Sequence, residues 1–466
     1  MRQHMNKEIE PLFNSISEVA RLVRGITYVA NSGRQPITSV VLSSRDASPG
    51  SLFIATRGSK VDGHDFIIDA IQRGAIAVLA EQKQAYKCMR QMIGKPCSLV
   101  LVPDTLKGLH QLARGYAEKF NAQMIAITGS CGKTTTKEIL ASILGMRAKT
   151  AKTPGNLNSL FGLPLSIFSL NSSCRYGVFE LGIDHVGEMD MLSSIVKPDV
   201  AVITNICESH LEKFGDTRTL VDEKRKIFTA AVEHAFISEN CCYRNYIKKY
   251  SPVRVDEYGV NSIKGLESLT NMGLNGWVLK YRGERMHLSC LGWHSLMDCI
   301  GSIQIAEELG CTPHQIAEGV SRVVQIPGRS KVYEGEVTVI DDSYNANYES
   351  SYAILDVIQR LRWKGRKNLA FGSMKELGSA SACSHRLLGQ KIGKSGASNV
   401  FLYGKEMEEV YDMLKNEAFC GKLFYSDMFE EIQNDVKRTM TEGDLFLLKG
   451  SRVMQMERLL PTLLGQ

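Results

Sequence analysis

The chain is expected to form an α/β protein of three units, and three observations lead there. Apolar runs of strand length alternate with stretches of helical spacing along its 466 residues, the order that builds mainly parallel sheets. A glycine-rich turn, Ile127-Thr-Gly-Ser-Cys-Gly-Lys-Thr-Thr-Thr136, sits between one such run and one such stretch. After Ile326-Pro-Gly-Arg329 the alternation starts afresh, which suits a length long enough for several cores.

The first unit, residues 1–118, opens with a helix at about 17–23. Strand-like runs follow at 37–42, 51–55 and 75–79, with a helix near 66–73. The central unit, 119–328, has strands at 124–127, 177–181 and 200–204, and the helical spacing of 137–144 directly follows the turn. Its sheet is expected to be mainly parallel, with ligands beyond the strand C-termini. Within it, 266–291 reads as a looser, β-rich insertion. The third unit, 329–466, alternates strands at 338–341, 368–371, 399–403 and 444–448 with helices, a second doubly wound arrangement. A cleft between the two larger units would bring two substrates together.

The charge balance of +6 is spread along the chain, which argues against a nucleic-acid-binding arm. No apolar run approaches membrane-spanning length, and the charged start, Met1-Arg-Gln-His-Met-Asn-Lys-Glu8, lacks the apolar core of a signal peptide. A cytoplasmic protein without membrane insertion is expected. The 12 cysteines are scattered, with no Cys-x-x-Cys pair, as suits reduced thiols.

The turn carries the first chemistry. Gly129 and Gly132 allow the backbone to bend so that amides at the helix start point at phosphate oxygens. Lys133 reaches for the β- and γ-phosphates and the Thr134 hydroxyl for Mg2+. Thr128, Ser130, Cys131 and Thr135 complete the loop, which is expected to bind ATP or GTP. Its glycines are closer than in the general pattern, whose first glycine would fall at Ile127. Glu180 ends a strand at the same sheet edge and is a candidate Mg2+ ligand, although a lone strand-end Glu is more often solvated. His210 follows another strand, in a loop where histidines are mostly structural. Lys224, in Val221-Asp-Glu-Lys-Arg-Lys-Ile-Phe228, reads from spacing alone as one charge on an exposed helix.

Taken together, these residues resemble the Mur ligases, ATP-dependent enzymes that form peptide bonds in peptidoglycan synthesis. The resemblance spans nearly the whole chain, through Ser44-Arg45, Pro49-Gly-Ser-Leu-Phe53, Asp62-Gly-His64, the loop itself, Gly155-Asn-Leu-Asn158, Glu180-Leu-Gly182, His210-Leu-Glu212, Asp341-Asp-Ser-Tyr-Asn-Ala-Asn347, Met374-Lys-Glu-Leu-Gly378 and Lys449-Gly-Ser-Arg452. It implies a small N-terminal domain for the UDP end of the substrate, a central P-loop ATPase and a C-terminal Rossmann-like domain. The Asp-Ser-Tyr-Asn-Ala-Asn and Lys-Gly-Ser-Arg strings point to the branch that joins D-alanyl-D-alanine to UDP-N-acetylmuramoyl-tripeptide. The γ-phosphoryl of ATP would pass to the tripeptide carboxylate, and the dipeptide amine would displace phosphate from the acyl phosphate.

The same resemblance implies residue roles. Thr134 and Glu180 would hold one Mg2+, and His210 with a carbamylated Lys224 a second. Lys133 and Arg329 would neutralise the migrating phosphoryl group, and Asp342 would bond the ATP ribose. Asn156 and Asn158 would line the channel between nucleotide and peptide, and Ser44 and Arg45 would meet the uridine-diphosphate end. Asn345, Asn347, Lys449, Ser451 and Arg452 are candidates for the incoming dipeptide or nucleotide. A monomer is expected.

The chain departs from the family pattern at Ser43, Ser159, Ser295 and Lys226. Asp298 also stands where the family has an adenine-reading Asn, and an ionised carboxylate accepts hydrogen bonds but donates none. Two other readings stay open on the residues alone: a sister or folylpolyglutamate-type ligase that adds a single amino acid, and a weakened ATP-binding pseudoenzyme.

Overall fold

The computed structural model describes residues 10–30, 33–58, 61–207 and 211–465. Four sheets organise them. The N-terminal sheet runs Ile26–Tyr28, Ser98–Val102, Ala75–Glu81, Ser51–Ile54, Ser39–Val41, parallel except for the first pair. The helix Ile16–Val23 lies against it, started by the Ser15 side chain accepting from the Glu18 amide and burying Ile16, Val19, Ala20 and Val23. The stretch at 66–73 is a 3-10 turn, Gly63–Phe66, running into the helix Ile67–Gln72.

The central sheet has six strands in the order Val255–Tyr258, His234–Ser238, Val200–Ile203, Gln123–Thr128, Tyr176–Glu180, Thr150–Lys152. Every pairing in it is parallel. Ile125, Ala126 and Ile127 of the inner strand are completely buried, because helices cover both faces, which is why that strand reads as a continuous apolar run. On one face the helix Lys133–Gly145 packs with Gly292–Glu308 and Pro313–Ser321 in a single apolar cluster that includes Ile139, Ile143, Ile300, Ile303 and Val320. The β-rich stretch at 266–291 is an antiparallel three-stranded sheet, Leu266–Asn271, Trp277–Tyr281 and Glu284–Leu288.

The third large sheet runs Lys331–Tyr333, Thr338–Asp342, Leu445–Lys449, Lys367–Gly372, Asn399–Tyr403, Lys422–Ser426. Only its first pair is antiparallel. Ile26–Tyr28 and Lys422–Ser426 lie at sheet edges, where they stay partly exposed and need not alternate cleanly.

One glycine ties the helices together. A Cβ added at Gly319 would lie 2.4 Å from the Ile143 Cα, and the Ser142 hydroxyl donates to the Gly319 carbonyl at 2.7 Å. Gly319→Ala should therefore push the helix Lys133–Gly145 off its neighbour at an overpacking cost of about 1–3 kcal/mol, seen as a lower midpoint in thermal unfolding. An unchanged midpoint would mean that the helix pair has slack.

Candidate nucleotide site

Three strand ends meet at one sheet edge. Glu180 registers beside Ile127 and Ile203 beside Thr128, so the loop after Thr128, the Glu180 carboxylate and the turn after Ile203 share one space. Gly129 and Gly132 bend the loop at φ 153° and 86°. A Cβ at Gly129 would meet the Thr204 hydroxyl at 2.0 Å, and one at Gly132 the Asp298 carboxylate at 2.5 Å. Only glycine fits either place. The turn delivers Lys133 as the first residue of its helix, with the backbone amides at that end open to an anion. The Lys133 ammonium folds back to the Gly129 and Ser130 carbonyls at 2.9 and 3.4 Å. Thr128 is buried and donates to the Leu181 carbonyl at 2.8 Å, while Thr135 lies half-buried on the helix's first turn.

Beside the loop the Thr134 hydroxyl donates to Glu180 Oε2 at 2.9 Å, and the Asn158 amide to Glu180 Oε1 at 2.7 Å. This hydroxyl and carboxylate form the hard oxygen set that suits Mg2+. Among the described residues no three His, Cys, Asp or Glu side chains gather as a metal site, and His210 lies outside the described residues. Asn156 is exposed. Lys137, read from sequence only as a helical residue, is fully buried and donates to the Thr153 and Gly155 carbonyls at 2.9 and 3.1 Å. It pins the segment that carries Asn156 and Asn158 against the phosphate helix.

The exposed-helix reading of Lys224 is wrong. The helix Thr217–Arg225 buries Leu220, Val221, Glu223 and Lys224, and the two charged side chains among them go inside because each has a partner. Glu223 accepts the Gly187 and Met189 amides at 2.9 Å each and pairs with Lys226 at 2.8 Å. The Lys224 amine donates to the Gly129 carbonyl at 3.0 Å. Burial first, then the charge of Lys133, bring its pKa down to about 7, so near neutrality much of it is the free amine.

A cavity of about 1200 Å3 opens from the loop, lined by Cys131, Gly132, Asp298, Trp277, Met297 and Tyr352 among others. Asp298 is 7 % exposed, and its Oδ2 has no hydrogen-bond partner among the described residues. Burial, with the charge of Cys131 next, holds this carboxyl well above the usual carboxylate range. The shift widens the pH range over which the acid is protonated, and in that form it carries both a donor and an acceptor.

The third unit also reaches the loop. The Asp341 carboxylate accepts the Gly328 amide at 2.8 Å and Asp342 the Ser330 hydroxyl at 3.1 Å. The turn so held points Arg329 at Thr134, 3.4 Å from its hydroxyl, stacked 3.8 Å from the Tyr344 ring centre. Asn347 caps the helix Tyr348–Arg360 and donates to Cys131 Sγ at 3.2 Å. Lys449, in register with Asp342, forms an ion pair with it and donates to the Asn345 carbonyl at 3.1 Å. Ser451 accepts the Lys375 amide at 2.8 Å. Arg452 pairs on the surface with Glu457. Ser44 and Arg45 belong to the N-terminal unit, where Ser44 is buried and Arg45 exposed. The Ser44 hydroxyl and then Arg73 hold the Asp69 carboxyl below its usual range.

The Mur ligase family catalytic domain matches residues 36–117, the Mur ligase middle domain 127–298, and the Mur ligase, glutamate ligase domain 328–452. The UDP-N-acetylmuramoyl-tripeptide–D-alanyl-D-alanine ligase of Treponema pallidum is 33 % identical over 461 residues, covering 96 % of this chain and 98 % of its own. Among solved structures, MurF from Acinetobacter baumannii superposes with a TM-score of 0.84 at 26 % identity, covering 98 % of this chain and all of the other. MurF ligase from Thermotoga maritima in complex with ADP gives 0.76 at 29 % identity, over 92 % of this chain and 97 % of its own. With a phosphate loop, a strand-end carboxylate and a buried lysine gathered at one sheet edge, and with that likeness along its length, the chain belongs to the Mur ligase family.

Proposed function

We propose that the chain is an ATP-dependent ligase that joins the terminal carboxylate of UDP-N-acetylmuramoyl-tripeptide to the amine of D-alanyl-D-alanine. The observation that carries this reading is the buried Lys224 amine against the loop carbonyl of Gly129, in a chain matched end to end by a ligase of that name. Residues 1–118 take the UDP end, 119–328 the ATP and 329–466 the incoming dipeptide. The protein works as a monomer in the cytoplasm.

A carboxylate is a poor electrophile, so it must first take the γ-phosphoryl group. The loop amides and Lys133 hold the phosphates in line, and Arg329, placed beside Thr134, offsets charge as the group moves. Thr134 and Glu180 would hold one Mg2+, and His210 with a carbamylated Lys224 a second. Bound there, Mg2+ supplies charge neutralisation. Carbamylation needs the neutral amine, which burial provides, and it turns a repelling ammonium into an oxygen ligand. Asp298, when its raised carboxyl is protonated, would offer adenine both a donor and an acceptor, as the family's Asn does. The dipeptide amine then attacks the acyl phosphate and inorganic phosphate departs.

Three measurements test this. ADP release with the UDP-tripeptide should require D-alanyl-D-alanine; release with single amino acids alone would favour a sister ligase, and none with either the pseudoenzyme. Lys224→Ala should cut turnover at least about 100-fold, with partial rescue by short carboxylic acids; full activity would contradict the carbamate. Asp298→Asn should leave the KM for ATP within about threefold near neutral pH, whereas Asp298→Ala should raise it roughly tenfold through loss of the paired hydrogen bonds. As pH rises through the raised carboxyl pKa, the wild type should lose ATP affinity while Asp298→Asn stays flat. Parallel profiles would show that Asp298 is not read by the base.

A further inference from the structure

Two of the cysteines, 76 residues apart in sequence, meet at the phosphate loop. Cys131 Sγ lies 3.4 Å from Cys207 Sγ. The backbone around them is stitched together: the Ser130 amide donates to the Asn205 carbonyl at 2.6 Å, the Ser130 hydroxyl to the Cys207 carbonyl at 3.1 Å, and Cys131 bridges Asn205. Asn347 of the third unit donates to both sulfurs, at 3.2 and 3.6 Å. The two thiols differ in access. Cys131 is half-buried and lines the large cavity, whereas Cys207 is 5 % exposed behind it.

We propose that Cys131 and Cys207 are a modification site, at which a hydroperoxide converts the two thiols to a disulfide that shuts the nucleotide site. Cys131, open to the cavity, attacks the peroxide oxygen. The O–O bond breaks, the thiol proton leaves with the departing oxygen as water, and Cys131 becomes a sulfenic acid. The Cys207 thiol then attacks the Cys131 sulfur, the S–O bond breaks and a second water leaves. Two thiols are oxidised by two electrons in all, and one hydrogen peroxide is reduced to two waters.

The environment favours Cys131 as the attacking partner. The hydrogen bond from the Cys207 thiol, together with the Asn347 amide and the Lys133 charge, draws its thiol down from the ordinary range, while Cys207 is pushed up. Closing a 3.4 Å contact to a bond of about 2 Å pulls the loop toward the turn at 205–207. Gly129 and Gly132 flank Cys131 with no spare room, so the shift moves the amides meant for phosphate. A misplacement on the order of 1 Å is enough for a large loss of function.

The test uses the full-length chain, hydrogen peroxide without nucleotide, alkylation of the remaining thiols, and peptide mass spectrometry beside calorimetric titration with ADP. The expected result is a Cys131–Cys207 linked peptide lighter by two hydrogens, ADP affinity at least about tenfold weaker, and recovery with dithiothreitol. Cys207→Ala, lacking the resolving thiol, should instead carry Cys131 on to the sulfinic acid and lose affinity that dithiothreitol does not restore. Absence of the linked peptide, unchanged ADP affinity in the linked protein, or reversible loss in Cys207→Ala would each overturn the proposal. The linked peptide and ADP binding do not depend on the acceptor, so they stand apart from the test of ligase activity.

Discussion

The close approach of backbone to side chain at Gly129 and Gly132 is the constraint on which the rest of the site depends. At both positions the space for a side chain is already taken, by Thr204 and by Asp298, and the loop is thereby wedged between the end of the strand Val200–Ile203 and the helix Gly292–Glu308. Its carbonyls turn inward to Lys133 and Lys224. The amides at the helix start are left for an anion. Neither lysine contact would survive a loop that swung outward.

Around this wedge the protein buries charged groups that most proteins leave in water. Glu223, Lys224, Lys137 and Asp341 are each at most 2 % exposed and each has a backbone partner. Burial without such partners would be strongly unfavourable. With them, the groups become rigid fittings: Glu223 fixes the helix that presents Lys224, Lys137 fixes the segment of Asn158, and Asp341 fixes the turn of Arg329. The ion pair of buried Lys449 with half-buried Asp342 does the same between two strands of the third sheet.

Much of this was legible in the residues. The glycine spacing and its flanking strand and helix exposed the phosphate loop, since few other arrangements need that pattern, and the alternating runs revealed the parallel sheets. Edge strands such as Ile26–Tyr28 were not legible because one side of an edge faces water. Lys224 was misread because charge periodicity reports what solvent would accept and is blind to a carbonyl brought from 95 residues away. Its importance came only through resemblance. Asp298 looked like a defect when judged by its ordinary ionisation; burial, invisible in one dimension, pushes its carboxyl above the usual range. The Cys131–Cys207 contact has no sequence signature at all, because parallel strands bring it together.

The reach of the third unit into the loop has a consequence for how defects in this enzyme would be diagnosed. Arg329 touches Thr134 and Asn347 touches Cys131, so the third unit also supports the glycine-rich loop of the central one. A lesion in the turn at 328–330, or at the start of the helix Tyr348–Arg360, would present kinetically as an ATP defect although it lies outside the central unit. Assigning a lesion to one step by its position along the chain would mislead.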